Sequence, residues 1–308
     1  MAESSDRDRR DSCASRSRRC AESQLGTASR ARRWLLVEQP GTWGPDALSD
    51  SGLPDPVADR MRTLQHALPA RVLLLRRPGR ATSAGGPRSV YVGWSDAADS
   101  WLERFDLDDV RDLLGLDLRP LADGASVGGQ PVSTPMYLVC TNGRHDPCCA
   151  EFGRPVAQAL EEVVGSRVWE CSHVGGDRFA ANLVCLPDGQ FYGRLDPASA
   201  VDVVAAHERS RITLAHWRGR SPLTFAEQAA EGFARAAFNL DGRDDLRLSG
   251  SRRDGDRHHV RFVRDGGEVI EVVVEVASRT VSEPLPCGGA GRVTSAVALV
   301  TIVPGGTQ

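Results

Sequence analysis

The chain has 308 residues, enough for about two domains that each bury a core of their own. Its composition, 41% hydrophobic and 26% charged with a net charge of −3, is typical of a soluble globular protein and does not indicate binding to nucleic acid or to a membrane surface. All 38 basic residues are arginine, which excludes a mechanism that depends on lysine. No segment approaches the roughly 20 apolar residues that are needed to span a bilayer.

The first 30 residues are rich in arginine, serine and aspartate. They contain no apolar stretch, so they do not form a secretory signal. We predict a disordered tail (residues 1–30) on a cytoplasmic protein, with no site role for Cys13 or Cys20. In that compartment cysteines stay reduced and act as metal ligands or redox groups more often than as disulfides.

Residues 31–130 are predicted to form an N-terminal αβ unit. A short apolar segment at 34–37 indicates a buried strand, apolar residues at helical spacing over 61–68 indicate a helix, and 72–75 supply a second strand. A third strand is predicted at 90–92 and a further helix at 106–114. The glycine-containing segment 121–130 indicates a linker, which places a boundary near residue 130.

Residues 131–212 form the second predicted unit. A strand over 136–140 ends on Cys140, and Asp146 with Pro147 is a typical helix start, because aspartate caps the first turn and proline suits its first position. A strand over 168–171, a hairpin around 187–189 and a helix after Asp196 follow. This βαβ-ββα order is that of a thioredoxin-type core, and the first unit shows a weaker version of the same beginning.

Residues 213–308 are predicted to form a helix plus a β-rich C-terminal module. The helix covers 225–240, and strands are expected at 260–263, 269–276 and 297–303, with a hairpin turn at 265–267. We expect this module to pack against the central unit, and we expect no site role for Cys287.

Cysteine and histidine residues are predicted to meet at one edge of the central sheet. A βαβ crossover makes the strands 136–140 and 168–171 parallel, so their carboxyl ends lie together. Cys140 ends the first strand, Cys148 and Cys149 open the next helix, and His173 follows the second strand. Cysteines at a helix N-terminus are favoured as thiolates, the form that binds metal.

Two geometric arguments separate the remaining cysteines. Cys185 ends a strand that is expected to run antiparallel to the first, so it should lie at the opposite edge of the sheet. Adjacent Cys148 and Cys149 point about 100° apart on a helix, so both are not expected to bind one metal in the same way.

The phrases around these residues resemble the sucrase/ferredoxin-like family. They are Asp146-Pro-Cys-Cys149 with Cys140 nine residues before its partner, Ser172-His-Val-Gly-Gly-Asp-Arg-Phe-Ala-Ala-Asn182, and Tyr192-Gly-Arg-Leu-Asp-Pro197. The resemblance covers most of 31–210 and is densest over 136–197. It implies an α/β (α+β) chain with a thioredoxin-like [2Fe-2S] ferredoxin core, preceded by a second αβ unit of possible thioredoxin-like topology and followed by the small β-rich module.

The resemblance also implies a set of cluster ligands. Family members hold the cluster with two cysteines nine residues apart and with the two histidines of a His-x-Gly-Gly-His phrase, which correspond here to Cys140, Cys149 and His173. Asp177 stands where the second histidine would be, and a carboxylate is an uncommon iron–sulfur ligand. Asp177 is the expected fourth ligand by position, with Cys148 or Cys171 as substitutes; zinc or no metal are the alternatives.

The predicted function is therefore that of an iron–sulfur electron-transfer or redox-sensing protein with mixed Cys/His ligation, to which Asp is the candidate addition. It is expected to serve an unknown redox partner protein as an electron carrier more than as a stand-alone enzyme, with no catalytic residues and no nucleic-acid or membrane partner. A thiol–disulfide oxidoreductase and a structural zinc-binding or scaffold protein remain open as alternatives. The former lacks a Cys-x-x-Cys spacing at the helix start.

Overall fold

A computed structural model describes residues 12–79, 87–96, 99–280 and 293–304. From residue 12 to the first strand, the described part of the chain contains one short helix. The described residues of the N-terminal unit then form four long strands, one α-helix and two 3-10 helices, Val110–Gly115 and Arg119–Asp123, before a two-residue edge strand. These elements are Cys13–Arg19 (α1), Arg33–Glu38 (β1), Asp55–Ala67 (α2), Ala70–Arg76 (β2), Arg88–Trp94 (β3), Trp101–Leu107 (β4) and Gln130–Pro131 (β5).

The central unit has the predicted βαβ-ββα order, and two 3-10 helices, Gly165–Arg167 and Asp177–Phe179, lie in its connections. Its elements are Met136–Cys140 (β6), Pro147–Val164 (α3), Val168–Cys171 (β7), Leu183–Leu186 (β8), Gln190–Tyr192 (β9) and Pro197–His207 (α4). The remaining elements are Trp217–Arg220 (β10), Phe225–Phe238 (α5), Arg247–Asp254 (β11), Arg257–Val263 (β12), Val269–Thr280 (β13) and Val293–Pro304 (β14).

The N-terminal and central units share one sheet of ten strands in the order β10-β9-β8-β6-β7-β2-β1-β3-β4-β5. In each unit the first two strands are parallel and the next two are antiparallel to their neighbours. The units meet where β2 pairs with β7 in antiparallel register through Leu75 with Cys171 and Arg76 with Glu170. The two halves of the sheet therefore repeat the same strand order about this seam.

Alternating side chains divide the core between the two faces of the sheet. One face carries an apolar cluster that crosses the seam and includes Leu36, Leu75 and Leu138 together with Cys140 and Cys171. On the opposite face α2 packs against the N-terminal half, and α3 and α4 pack against the central half. The strand ends near α3 are thus fixed by burial on both faces.

The C-terminal module is a four-stranded antiparallel sheet in the order β11-β12-β13-β14, against which α5 packs. The turn at 265–267 connects β12 and β13, as predicted. β10 is not part of this module, although it lies after the predicted boundary at 212, because it pairs with β9 and completes the large sheet. Cys287 lies outside the described residues.

Three features of the N-terminal half differ from the sequence predictions. Where a disordered tail is predicted, residues from 12 onward form α1 and a segment that packs against the central unit through buried Cys13 and Ala14. Where a helix is predicted at 106–114, the structure has the end of β4 and a 3-10 helix. β4 itself was not predicted, because Glu103, Arg104 and Asp106 interrupt its apolar pattern.

Candidate metal centre

Cys140 lies at the carboxyl end of β6, beside the end of the parallel strand β7. The two strands pair in register from Tyr137 with Val168 to Cys140 with Cys171, so both chains leave the sheet at the same edge. Cys140 and Cys171 are buried. This confirms the parallel crossover that the sequence predicts and brings the helix and loop that follow these strands to one place.

Cys149 is placed by the first turn of α3. The carboxylate of Asp146 accepts a hydrogen bond from the backbone N–H of Cys148 at 2.8 Å, and Pro147 occupies the first turn. One turn further on, Gly153 packs directly against the carbonyl group of Cys140, and a Cβ atom at this position would overlap that oxygen. The absence of a side chain at residue 153 therefore lets α3 approach the end of β6 closely enough for the two cysteines to meet.

His173 completes a group of three potential metal ligands. Its Nδ1 lies 3.7 Å from Cys149 Sγ and 4.0 Å from Cys140 Sγ. The ligand atoms of these three residues all lie within 4.8 Å of one another. The structure thus brings together the three residues on which topology and family resemblance agree.

The backbone and ring of His173 are held by neighbouring groups. Arg71 donates a hydrogen bond to the carbonyl oxygen of His173 at 2.8 Å. The ring of His145 stacks on that of His173 with 3.7 Å between centroids, and His145 Nδ1 lies 3.1 Å from the carbonyl oxygen of Pro45. His145 therefore supports the position of His173 and is not a member of the three-ligand group.

The loop after His173 is organised by the buried side chain of Arg218. Its guanidinium donates hydrogen bonds to the carbonyl oxygen of Gly175 at 3.0 Å and to Asn182 Oδ1 at 2.7 Å. Gly176 has a φ of +79°, and a Cβ atom there would overlap the guanidinium. Burial lowers the pKa of Arg218 to about 9, while Asp177 and Cys140 favour its charged form. The loop therefore wraps a cation that lies close to the acidic groups of the site.

The pKa values of the two cysteines of the group are shifted in opposite directions. A hydrogen bond from the Cys149 thiol, together with His173 and the backbone N–H of Val174, holds the pKa of Cys140 well below its usual value despite burial. The same hydrogen bond and burial raise the pKa of Cys149. The shared hydrogen bond therefore favours a single thiolate in the pair, and the thiolate is the form that binds metal.

Asp177 opens the 3-10 helix Asp177–Phe179 and lies near enough to Cys149 and His173 to interact with them electrostatically. Its carboxylate is not among the atoms of the three-ligand group; Oδ2 lies 3.9 Å from Cys13 Sγ. Burial and the nearby charge of Asp146 raise the pKa of Asp177. The position that resemblance assigns to a fourth ligand is thus next to the centre and in contact with a second set of acidic groups.

The other cysteines of the central unit, Cys148, Cys171 and Cys185, are not part of the three-ligand group. Cys148 faces Cys13 and Ala180, away from Cys140 and His173. Cys171 is buried beside Cys140, and burial raises its pKa. Cys185 pairs with Tyr137 at the start of β6 and lies at the opposite end of the strand from Cys140, as the antiparallel register predicts.

Sequence reasoning missed several residues that shape this centre. Cys13 lies 135 positions before Cys148 in a segment with no apolar pattern, and Arg71 and Arg218 come from β2 and β10. Nothing in their local sequence marks them. Asp146 was predicted only as a helix cap, and its contact with Cys13 depends on where α1 packs.

A cleft of about 470 Å³ opens beside the centre. His145 and His173 line it together with Arg71, and the loop that contains Pro45 and Asp46 forms another wall. His173 is only half-buried, whereas Cys140 and Cys149 are fully buried. Of the three side chains of the group, His173 is therefore the one that is exposed to the cleft.

The mixed α/β fold and the Cys/Cys/His group at the edge of its sheet identify the chain as a candidate metal-binding protein. The sequence model of the sucrase/ferredoxin-like family matches residues 24–219, and the chain belongs to that family. No curated protein and no solved structure matches the chain. Among the helices of the described ranges, none has the length and apolar character that crossing a membrane requires.

Proposed function

We propose that this protein is an iron–sulfur electron-transfer or redox-sensing protein that carries a [2Fe-2S] cluster. The observation that carries the proposal is the convergence of Cys140, Cys149 and His173, whose ligand atoms lie within 4.8 Å of one another. Membership of the sucrase/ferredoxin-like family supports it. Cys140, Cys149 and His173 would hold the cluster, with Asp177 as the fourth ligand by position and Cys148 or Cys171 as substitutes.

The donor chemistry fits such a group. Two buried thiols are the soft ligands that iron–sulfur clusters prefer, and an imidazole can replace thiolate on one iron. Asp177 is adjacent, although a carboxylate oxygen is a harder donor. Arg71 and Arg218, which hold the loop around His173, lie close enough to offset negative charge on the thiolates.

The residues of the site have separable roles in this proposal. Cys140 and Cys149 anchor the buried side, and His173 presents its imidazole to the cleft where a partner redox protein would dock. A [2Fe-2S] cluster bound here would accept and donate one electron. Neutral imidazole in place of thiolate lessens the negative charge of the cluster and favours a higher reduction potential.

The stacked ring of His145 and the hydrogen bond from Arg71 limit the movement of His173. We place this activity in the cytoplasm.

Anaerobic purification of the full chain tests the proposal. We expect iron and sulfide at about two equivalents each, visible absorption, and an EPR signal after reduction. Cys140→Ser, Cys149→Ser and His173→Ala should each lower the iron content or change the EPR signal. Cys185→Ser, at the opposite end of the sheet, should leave both unchanged. Colourless, iron-free protein after cluster reconstitution would contradict the proposal.

A single structural zinc ion is the second candidate function for this centre. With Zn–S and Zn–N bonds of about 2.3 and 2.0 Å, sulfur and nitrogen ligands of one tetrahedral zinc lie about 3.5 Å apart. The distance of 3.7 Å between Cys149 Sγ and His173 Nδ1 is close to this value. One equivalent of zinc with no visible colour would favour this candidate. Metal-free protein in which Cys140 and Cys149 exchange with disulfides would favour a thiol–disulfide oxidoreductase instead.

A further inference from the structure

A second group of buried potential metal ligands lies beside the Cys/Cys/His centre, at the start of α3. It consists of Cys13 from α1, Asp146 at the helix cap and Cys148 in the first turn of α3. The side chains of Cys13 and Cys148 are fully buried, and Asp146 is 3% exposed. The three residues come from segments more than 130 positions apart, so only the tertiary fold assembles them.

The distances within this group match those between ligands of one tetrahedral metal ion. Cys13 Sγ lies 3.4 Å from Cys148 Sγ and 3.6 Å from Asp146 Oδ2. For Zn–S and Zn–O bonds of about 2.3 and 2.1 Å, two sulfur ligands are expected about 3.8 Å apart, and a sulfur and an oxygen about 3.6 Å apart. A further carboxylate oxygen, Asp177 Oδ2, lies 3.9 Å from Cys13 Sγ.

The two carboxylate oxygens of Asp146 make different contacts. Oδ1 accepts the hydrogen bond from the backbone N–H of Cys148 that caps α3, and Oδ2 is the oxygen nearer to Cys13 Sγ. A metal ligand and a helix cap can therefore coexist on one carboxylate. Two thiols and two carboxyl groups lie close together here, and a divalent cation bound among them would stabilise their anionic forms.

We propose that Cys13, Asp146 and Cys148 form a second metal site, distinct from the Cys140–Cys149–His173 centre, that binds a borderline divalent cation of the Zn²⁺ class. Two thiolates with a carboxylate suit Zn²⁺ better than the oxygen-preferring Mg²⁺ or Ca²⁺. The bound cation would fasten α1 to the start of α3 and to the 3-10 helix Asp177–Phe179. The site uses none of Cys140, Cys149 and His173, and it leaves Asp177 or Cys171 as the fourth ligand of the proposed cluster, because Cys148 binds the second metal ion.

Co²⁺ binding to the full chain under anaerobic, reducing conditions tests the site. In a Cys140→Ser/Cys149→Ser background, which removes the first centre, we expect one equivalent of Co²⁺ with the absorption of a tetrahedral thiolate complex. Zn²⁺ should displace it. Adding Cys13→Ser should abolish this binding, whereas Cys20→Ser, an exposed cysteine that caps the same helix, should leave it unchanged.

Asp146→Asn separates loss of a ligand from loss of the fold, because asparagine also caps helices well but lacks the anionic oxygen. This variant should keep the circular dichroism spectrum of its parent and lose the equivalent of Co²⁺. Should the double background not fold, the same substitutions in the otherwise unaltered chain should each lower total bound divalent metal by one equivalent. The proposal would be overturned if the double variant folded but bound no Co²⁺, or if Cys13→Ser did not reduce Co²⁺ binding. It would also be overturned if Cys13 and Cys148 formed a disulfide after anaerobic purification.

Discussion

At the scale of single residues, the candidate centre depends on close contacts that tolerate no added atoms. Gly153 is the clearest case, because the backbone carbonyl of Cys140 occupies the space where a side chain would begin. A backbone group at the end of a buried strand cannot turn aside as a side chain can. The separation of α3 from β6, and with it the meeting of Cys149 with Cys140, is therefore set by this glycine.

Gly153→Ala should lower the free energy of unfolding and weaken metal binding, although alanine favours helices by about 1 kcal/mol over glycine. The added methyl group forces α3 away from β6, and overpacking of this kind costs about 1–3 kcal/mol. Urea denaturation and metal titration measure the two effects.

Gly232→Ala in α5 is the matched control for Gly153→Ala. Its new methyl group would meet the side chain of Leu25, which can rotate away. We expect a smaller loss of stability and no change in metal binding. Equal loss of metal affinity in both variants would contradict the role assigned to Gly153.

At the scale of elements, buried charges join neighbouring segments. Glu231 on α5 is fully buried between Arg220 of β10 and Arg235 of the same helix, and its distance from Arg235 is 2.8 Å. Arg220 also donates a hydrogen bond to the carbonyl oxygen of Leu246. This ion network connects the last strand of the large sheet to the helix that covers the small one.

Glu231→Gln should destabilise the protein by about 3–5 kcal/mol, because it leaves two buried arginines without a compensating charge. Chemical denaturation measures the change. Asp241→Asn, which breaks the exposed Arg211–Asp241 pair, should cost less than about 1 kcal/mol. Similar losses in the two variants would show that the buried network does not have this stabilising role.

His207 at the end of α4 makes stability depend on pH. Its side chain is buried, and burial lowers its pKa although Asp188, 3.3 Å from Nε2, favours the charged form; Arg243 opposes that charge. Below the unfolded-state pKa of about 6.5, the unfolded chain binds a proton that the folded chain resists. Stability is therefore fully present above this pH and is lost as the pH falls toward the folded-state pKa.

We expect unfolding free energies between pH 7 and 5 to fall with a slope of up to about 1.4 kcal/mol per pH unit from this residue. His207→Gln should flatten the profile in this window. His66→Gln, at an exposed position of α2, should not. A profile of unchanged slope in His207→Gln would mean that another group is responsible.

At the scale of the whole molecule, the seam between β2 and β7 makes one sheet from two similar halves. Its strand pairing is short, but the ion pair of Arg76 with Glu170 at 2.7 Å and the apolar cluster that crosses the seam reinforce it. Glu170 also accepts a hydrogen bond from Thr141, the residue after Cys140. The N-terminal half thus supports the strand end that carries the candidate centre.

We expect the two halves to unfold as one cooperative unit. In native-state hydrogen exchange, amides of β1 and β6 should show equal opening free energies, and Glu170→Gln should lower both together, because the seam couples them. Opening of β1 at a distinctly lower free energy than β6 would show that the N-terminal half is an independent domain. Surface variant Asp59→Asn on α2 serves as the control and should move neither value.

Elements with local sequence patterns could be predicted without a structure. Apolar segments identified β1, β2, β6 and β7, the Asp146-Pro147 start located α3, and the rule for parallel crossovers placed Cys140, Cys149 and His173 near one another. β4 was not predicted because Glu103, which is buried, and the charged residues Arg104 and Asp106 interrupt its apolar pattern. α1 was not predicted because it has no amphipathic pattern of its own.

The residues that surround the site but are distant in sequence could be identified only from the folded chain. α1 is held by its contacts with α3, so the presence of Cys13 beside Asp146 and Cys148 depends on packing and not on local sequence. In the same way Arg218 reaches the His173 loop because β10 pairs with β9. Local patterns encode helices, strands and crossovers through short-range sterics and burial, whereas contacts between segments far apart in the chain follow from how the whole core closes.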